Sequence, residues 1–225
     1  MSEAKPVTIE VEGSGTVSGL LLLPPKAKAL YVLAHGAGAG MRQRFLEASA
    51  QGLAKRGIGT LRYQFPYLEK GSKRPDRPPV AFAAVRAAVA TAARLAPGLK
   101  LVAGGKSFGG RMTSGAEAEA HLEGVTGLAF LGFPLHPPGA PADTRGTHLS
   151  DVAIPMLFLQ GTRDEFAELD LLQPLVTRLG ARATLHLVDS ADHSFHVPAK
   201  SGRKDAEVLD EILDVMAGWI ESLHV

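Results

Sequence analysis

A serine flanked by glycines, directly after a short apolar run, most constrains how this chain can fold. Residues 99–103 have the apolar character of a buried strand, residues 104–110 read Gly-Gly-Lys-Ser-Phe-Gly-Gly, and a helix-compatible segment continues to 120. A turn that lifts a serine hydroxyl above a sheet edge imposes strained backbone angles on that serine. Strand and helix then pass so close together that neighbouring positions must be glycine. The segment predicts a strand, a sharp turn at Ser107 and a helix, although an ordinary glycine-rich turn is also compatible with it.

Length and composition favour a single globular domain. The chain has 225 residues, of which 45% are hydrophobic and 21% charged. A chain of this length buries about 70% of its unfolded surface without disulfides or metals. We therefore predict one domain over 1–225, with about residues 1–6 flexible.

Charge and cysteine content exclude several classes of function. The formal net charge is +1 and cysteine is absent. A nucleic-acid-binding protein usually has a strong basic excess, so we expect no nucleic-acid partner. Without cysteine there is no disulfide framework, no thiolate zinc site and no cysteine nucleophile. Since the first residues lack a hydrophobic signal core and no apolar run approaches the ~18 residues of a membrane span, we expect a cytoplasmic protein without a membrane partner.

Alternating strand and helix patterns predict an α/β fold. Strands are predicted over 7–12, 17–23, 29–34, 58–63, 99–103, 125–132, 154–160 and 182–188. Helices are predicted at 44–56, after the proline-rich basic loop 64–79, after Ser107, along the leucine stripe from Phe166 to Leu179, and at the C-terminus. This order predicts a mostly parallel eight-stranded sheet with helices on both faces and the first hairpin as its antiparallel edge.

The loops at the strand exits carry the chemistry. In such sheets, functional groups collect beyond the carboxyl ends of the strands. A serine hydroxyl needs an adjacent base to act as a nucleophile, and that base needs an orienting carboxylate. Asp164 follows the seventh strand and His193 follows the eighth, which gives Ser107, Asp164 and His193 as nucleophile, acid and base. No metal or organic cofactor is implied.

Each of these assignments has an alternative. Asp164 precedes a predicted helix and could be its N-cap. His196 is a possible substitute for His193 as the base, although His193 comes sooner after the strand. Asp189 and Asp192 are possible acids, but they share the histidine's own loop and would approach it poorly.

The tetrahedral intermediate of acyl transfer needs preorganised hydrogen-bond donors for its oxyanion. We predict the backbone N–H groups of Phe108, directly after the serine, and Ala37, in the glycine-rich loop after the third strand. His35 is interpreted as an anchor for that loop. Lys106 is given no catalytic role, because successive side chains diverge in a tight turn.

The chain resembles an α/β-hydrolase. His-Gly-Ala-Gly at 35–38, Gly-Lys-Ser-Phe-Gly-Gly-Arg-Met at 105–112, Leu-Phe-Leu-Gln-Gly-Thr-Arg-Asp at 157–164 and Ala-Asp-His-Ser-Phe at 191–195 occur in the family's order. Together with Phe-Pro-Tyr at 65–67 and Leu-Gly-Phe-Pro-Leu-His at 131–136, they are similar to a small branch near the dienelactone hydrolases. The resemblance implies the same three catalytic residues. Dienelactone hydrolases typically use a cysteine nucleophile, so their substrate does not carry over.

Many α/β-hydrolases insert a helical cap between the sixth and seventh strands. Here about twenty residues separate Gly132 from Ile154, and they include prolines at 134, 137, 138 and 141. Proline disfavours helix, so we expect a site with little or no lid.

These features favour a serine hydrolase that cleaves a carboxylic ester or a related acyl bond of a small molecule through an acyl-enzyme intermediate. The alternative is a non-catalytic binding or scaffold protein that keeps the fold, since fold does not fix function. From Arg62 to Arg77 five basic residues stand against two acidic ones, a local charge of +3. This loop is either a solvated surface or an attraction for anionic substrates, with Arg74 and Arg77 as the residues to test. The sequence predicts no oligomeric state.

Overall fold

The central strands are apolar along their length because helices cover both faces of their sheet. The computed structural model describes residues 3–224. Every residue of the strands Ala29–Ala34 and Ile58–Tyr63, which pair in parallel, is buried. The strands are β1 (Lys5–Val11), β2 (Gly15–Leu22), β3 (Ala29–Ala34), β4 (Ile58–Tyr63), β5 (Lys100–Lys106), β6 (Val125–Leu131), β7 (Met156–Gly161) and β8 (Ala183–Val188).

The eight strands form one sheet in the order β1-β2-β4-β3-β5-β6-β7-β8. Pairing is antiparallel between β1 and β2 and between β2 and β4, and parallel from β4 to β8. The predicted fold class is therefore confirmed. Lys5 and Pro6, which belong to the start predicted to be flexible, pair with Leu21 and Leu20 in the edge hairpin. Residues 1 and 2 lie outside the described part of the chain.

Helices form a layer on each face of the sheet. Their bounds are α1 (Arg44–Lys55), α2 (Pro66–Glu69), α3 (Pro78–Leu95), α4 (Phe108–Glu119), α5 (Leu169–Leu179) and α6 (Asp205–Ser222). Apolar side chains of α1 and α6 share one core cluster, whereas those of α3, α4 and α5 share the other. Helices on both faces leave only the ends of the strands open for a site.

Three connections differ from the sequence prediction. The loop 64–79 contains α2 and ends early, because Pro78 occupies the first turn of α3, where proline is tolerated. The loop between β6 and β7 contains a 3₁₀ helix, Thr144–Asp151, which lies after the prolines at 134, 137, 138 and 141 and packs on α4 and α5. Phe166 lies outside α5, which begins at Leu169.

Parallel pairing brings four functional loops to one edge of the sheet. β3, β5, β7 and β8 run in the same direction, so their carboxyl ends meet there. These ends carry the loop that starts at His35, the turn at Ser107, the segment of Asp164 and the loop of His193.

Candidate active site

Ser107 occupies a strained turn between β5 and α4. β5 ends at Lys106 and α4 begins at Phe108, so a single residue reverses the chain. Its backbone angles are φ 50° and ψ −115°. An L-residue adopts positive φ at a cost, and such strain persists only where the surrounding structure holds it.

Two glycines beside the turn are required by close backbone approach. A Cβ at Gly105 would lie 2.3 Å from the carbonyl oxygen of Ala34, and one at Gly109 would lie 2.6 Å from that of His35. Both distances are too short for carbon and oxygen atoms, so a larger residue at either position would push the turn away from the end of β3. The glycines therefore fix the turn against the neighbouring strand, which an ordinary surface turn does not require.

Ser107, His193 and Asp164 form a continuous hydrogen-bonded chain. Nε2 of His193 lies 2.9 Å from Oγ of Ser107, and Nδ1 lies 2.7 Å from Oδ2 of Asp164. A carboxylate only accepts hydrogen bonds, so Nδ1 carries a proton and Nε2 of the neutral ring is left to accept from the serine. The side chain of Asp164 is fully buried and that of His193 is 15% exposed. The structure thus brings the three sequence-predicted side chains together. Asp164 is the buried end of this hydrogen-bonded series, and Ser107 is the other end.

Gln160 holds the carboxylate of Asp164 in place. Its Nε2 donates to Oδ2 of Asp164 at 2.5 Å, and its Oε1 accepts from the backbone N–H of Phe133 at 2.9 Å. The sequence analysis did not single out this residue. A polar residue in the otherwise apolar β7 was the available signal, because a buried amide must find hydrogen-bond partners.

The N-cap interpretation of Asp164 is wrong, because α5 begins at Leu169 with Glu168 as its N-cap. Oδ1 of Asp164 instead accepts from the N–H of Phe166 at 2.8 Å, which closes a local turn and fixes the carboxylate. Asp189 and Asp192 bond within their own loop: Asp189 accepts from the hydroxyl of Ser190, and Asp192 accepts from two backbone N–H groups. Neither is the partner of His193.

His196 faces away from the serine. Its Nδ1 lies 2.9 Å from Oδ2 of Asp205, at the start of α6, and its side chain is 63% exposed. The Asp205 carboxylate raises the pKa of His196 by hydrogen bonding and by its charge. The structure therefore gives His196 a surface ion pair.

Phe166 covers one face of the His193 ring. The two ring centroids are 4.2 Å apart with an interplanar angle of 30°. The sequence assigned Phe166 to the leucine stripe of the next helix, and this assignment is wrong. Helical spacing alone could not show that the chain turns at Asp164 before the helix starts.

His35 anchors the loop after β3, as predicted. Its Nε2 accepts from the N–H of Phe65 at 3.1 Å, and its Nδ1 donates to the carbonyl of Gly36 at 2.7 Å. Burial lowers the pKa of His35 to about 4, so the ring is neutral at pH 7. The hydroxyl of Tyr67 accepts from the N–H of Gly38 at 2.8 Å, which fixes the loop from a second side.

A cleft of about 290 Å³ opens beside Ser107. It is lined by Gly36, Ala37, Ala39, Gln43, Phe45, Leu46, Lys106, Ser107, Phe166, His193 and Ser194. Within residues 3–224, the backbone N–H groups of Ala37 and Phe108 donate no hydrogen bond. The residues that line the cleft include none from the connection between β6 and β7, so this connection does not form a lid over the site. A larger groove of about 710 Å³ lies elsewhere, between α3 and the start of β6.

Lys106 lies in the same cleft, which sequence reasoning missed. Its Nζ donates to the carbonyl oxygen of His193 at 2.6 Å and lies 5.7 Å from the ring centroid of Phe195. Burial lowers the pKa of Lys106 to about 8, while the carboxylates of Asp164 and Asp192 oppose that shift. The loop of His193 folds back over Lys106. The divergence of successive side chains in a tight turn does not predict this contact, because it involves a residue distant in sequence.

The basic residues of the loop 64–79 do not line the cleft. Arg74 and Arg77 are exposed, and neither lines the cleft. Arg62 does not belong to this loop: it lies in β4, is 1% exposed and donates to the carbonyl of Met41 at 3.1 Å. Without Arg62 the local charge falls from +3 to +2. A contribution of Arg74 and Arg77 to substrate binding stays a prediction.

Across residues 3–224, no three His, Asp or Glu side chains converge closely enough to hold a metal ion. Over the same residues, no helix has the length and apolar character needed to cross a bilayer.

The chain belongs to the α/β-hydrolase family. The family model described as an alpha/beta hydrolase domain matches residues 27–221, which include every loop of the site. Together with the open edge of the sheet, this places the protein in a lidless branch of the family.

Solved structures show the same fold at low sequence identity. A dienelactone hydrolase from Anabaena variabilis is 20% identical, with a TM-score of 0.78 over 100% of this chain and 99% of that one. A serine hydrolase without a lid from Xanthomonas campestris is 21% identical, with a TM-score of 0.75 over 97% of this chain and 96% of that one. A serine hydrolase homologue from Coxiella burnetii is 16% identical, with a TM-score of 0.75 over 96% and 97%.

Proposed function

We propose that this chain is a serine hydrolase that cleaves a carboxylic ester of a small molecule through an acyl-enzyme intermediate. The observation that carries the proposal is the hydrogen-bonded chain from Oγ of Ser107 through His193 to the buried Asp164, at a strained turn that opens into a cleft. A nucleophile, a base and a group that orients the base are the minimum set for this chemistry.

In the first half-reaction, Oγ of Ser107 forms a bond to the ester carbonyl carbon while Nε2 of His193 takes the hydroxyl proton. Asp164 holds Nδ1–H and stabilises the imidazolium that forms. The tetrahedral intermediate collapses by breaking the bond to the leaving oxygen, which receives the proton from Nε2. An alcohol departs and the acyl group remains on Ser107.

In the second half-reaction, water takes the place of the alcohol. His193 removes a proton from the water as the water oxygen forms a bond to the acyl carbon. The bond between the acyl carbon and Oγ of Ser107 then breaks, and His193 returns the proton to that Oγ. The acid leaves and the free serine is restored. Phe166 supports both steps, because stacking keeps the ring of His193 in one plane while its proton moves.

Ala37 and Phe108 supply the oxyanion hole in this proposal. The developing negative charge needs donors that are already in place and not committed to other acceptors. Both N–H groups are free of other acceptors among the described residues, and Ala37 lines the cleft. The hydrogen bonds of His35 and Tyr67 hold the loop that carries Ala37.

Among acyl bonds, an ester is the first substrate class to test because its cleavage is chemically easier than that of an amide. Thioesters are the next class. The cleft volume of about 290 Å³ favours small substrates.

The proposal is tested by labelling with a fluorophosphonate probe and mapping the modified residue by mass spectrometry. We expect the label on Ser107 and its loss in Ser107→Ala, together with loss of p-nitrophenyl acetate hydrolysis. Ser194→Ala is the matched control, because Ser194 lines the same cleft, whereas the hydroxyl that His193 contacts within residues 3–224 is that of Ser107. Labelling at Ser194, or turnover by folded Ser107→Ala close to that of the wild type, would show that Ser107 is not the nucleophile.

A further inference from the structure

Lys106 is chemically unlike the rest of the cleft. Of the residues in the described chain that line it, Lys106 alone is a lysine, arginine, aspartate or glutamate. Asp164 lies behind the ring of His193 with no exposed side-chain surface. The charge that a bound molecule meets directly is therefore the ammonium group of Lys106.

This ammonium is incompletely partnered. It has three N–H donors, and the one side-chain hydrogen bond found for it in residues 3–224 goes to the neutral carbonyl of His193. Among the described residues, no carboxylate oxygen lies within 4.0 Å of Nζ of Lys106. Ten ion pairs elsewhere in these residues meet that distance limit. A buried charge without a close counterion costs free energy unless a partner binds it.

Asp164 and Asp192, the two carboxylates whose charge acts on Lys106, take part in other hydrogen bonds. Oδ2 of Asp164 accepts from both His193 and Gln160, and Oδ1 accepts from Phe166. Oδ1 of Asp192 accepts from the backbone of Ser194 and His196. They act on Lys106 through their charge, and its remaining N–H groups stay available to a ligand.

We propose that Lys106 is a specificity-determining residue whose ammonium binds a carboxylate carried by the ester substrate. This inference rests on the proposed function of Ser107, because it places the anionic end of the substrate in the same cleft as the bond to be cleaved. Phe45, Leu46 and Phe166 give the cleft apolar surface beside the cation. The substrate class is therefore a small ester with a short apolar body and one carboxylate.

The effect of salt on substrate preference distinguishes a contribution of Lys106 from a contribution of the exposed basic loop. Arg74 and Arg77 are exposed and lie outside the cleft, so their effect on an anionic substrate is long-range and decreases with ionic strength. A contact between a buried ammonium and a carboxylate is screened much less. A preference for anions that survives high salt is expected from Lys106, whereas one that salt removes is expected from the loop.

The experiment compares kcat/KM for two matched pairs of esters at pH 7, where Lys106 is charged. One pair is 4-acetoxybenzoate and its methyl ester, with the carboxylate on the leaving side. The other is monophenyl adipate and methyl phenyl adipate, with the carboxylate on the acyl side. In at least one pair we expect the anionic ester to be preferred by about 10- to 100-fold, the range for a hydrogen bond to a charged group, at low salt and at ~0.5 M salt.

Three variants identify the residue responsible. Lys106→Met should abolish the preference, Lys106→Arg should keep part of it, and Arg74→Ala/Arg77→Ala should leave the salt-resistant part unchanged. The proposal is overturned by equal kcat/KM for both members of each wild-type pair, or by a preference that the double loop variant removes. It is also overturned if Lys106→Met slows both members of a pair equally, since Lys106 would then only hold the loop of His193.

Two measurements keep the test decisive. If Lys106→Met does not fold, the wild-type salt series and Lys106→Arg still decide between the buried lysine and the loop. Fluorophosphonate labelling of the wild type and Lys106→Met reports on the proposed function separately. Labelled Ser107 without an anion preference overturns only the role of Lys106, whereas no labelling and no ester turnover overturns the proposed function itself.

Discussion

Two histidine–aspartate pairs involve the loop between β8 and α6. They consist of the same chemical groups but differ in burial and in what the histidine ring contacts. Nδ1 of His193 lies 2.7 Å from Asp164, and Nδ1 of His196 lies 2.9 Å from Asp205. The side chains of the first pair are 15% and 0% exposed, whereas those of the second are 63% and 58% exposed. Only the ring of His193 reaches Ser107, with its second nitrogen 2.9 Å from the hydroxyl.

A hydrogen bond to a carboxylate does not by itself make a histidine a base. Burial decides how strongly the carboxylate orients the ring and stabilises its charged form, because water screens an exposed pair. The atom facing the free nitrogen decides what the ring can do. For His193 that atom is a serine oxygen at a strained turn. The two pairs therefore serve as test and control for each other.

The largest difference is expected when each histidine is removed. In His193→Ala no group remains to take the proton of Ser107, so we predict a loss of about 10³-fold or more in kcat for p-nitrophenyl acetate. His196→Ala should stay within about threefold of the wild type, as expected for an exposed residue outside the cleft. Steady-state kinetics on the purified variants measure both values. A larger loss in His196→Ala would move the base to His196.

A comparably strong difference is expected for the two carboxylates. Asp164→Asn removes the acceptor that fixes the tautomer of His193, and we predict a loss of up to about 10⁴-fold in kcat. Asp205→Asn should leave kcat near the wild-type value. Circular dichroism of both variants checks that the fold is kept. Nearly full activity in folded Asp164→Asn would reduce Asp164 to the local turn that it forms with Phe166.

The smallest difference concerns stability and pH at the exposed pair. Asp205 raises the pKa of His196 from 6.5, and the pair lowers the pKa of Asp205 from 3.8. The contribution of His196 to the free energy of unfolding is complete below pH 6.5 and is lost as pH rises through its raised pKa in the folded protein. The contribution of Asp205 is complete above pH 3.8 and is lost as pH falls through its lowered pKa in the folded protein. The pair therefore stabilises the fold most between these limits.

Denaturant titrations of the wild type and Asp205→Asn measure this effect. We predict that the substitution lowers the unfolding midpoint more at pH 5.5 than at pH 8.5, by a small amount because the pair is exposed. His196 is also influenced by Asp192, which raises its pKa, and by Arg163, which lowers it. The same drop in midpoint at both values of pH would mean that Asp205 acts through its hydrogen bond to the N–H of Val197 instead.

Features that are encoded locally could be predicted from the amino-acid pattern alone. The bounds of β3 and β4 agree with the predicted 29–34 and 58–63, because fully buried strands are apolar from end to end. The turn at Ser107 was predictable because only glycine fits where backbones nearly touch. The order of strands and helices placed Ser107, Asp164 and His193 at strand exits on one edge of the sheet.

Which side chains meet at that edge depends on tertiary packing and could not be predicted from local patterns. Gln160, Phe166 and Lys106 reach the site through contacts with residues distant in sequence, and no local pattern encodes such contacts. The choice of His193 over His196 depends on how one loop folds back over β5. For the basic loop, the charge was evident in the sequence, whereas the position of its basic residues outside the cleft was not. Spacing along a chain fixes local geometry, whereas distances between loops are set by the packing of the whole sheet and its helices.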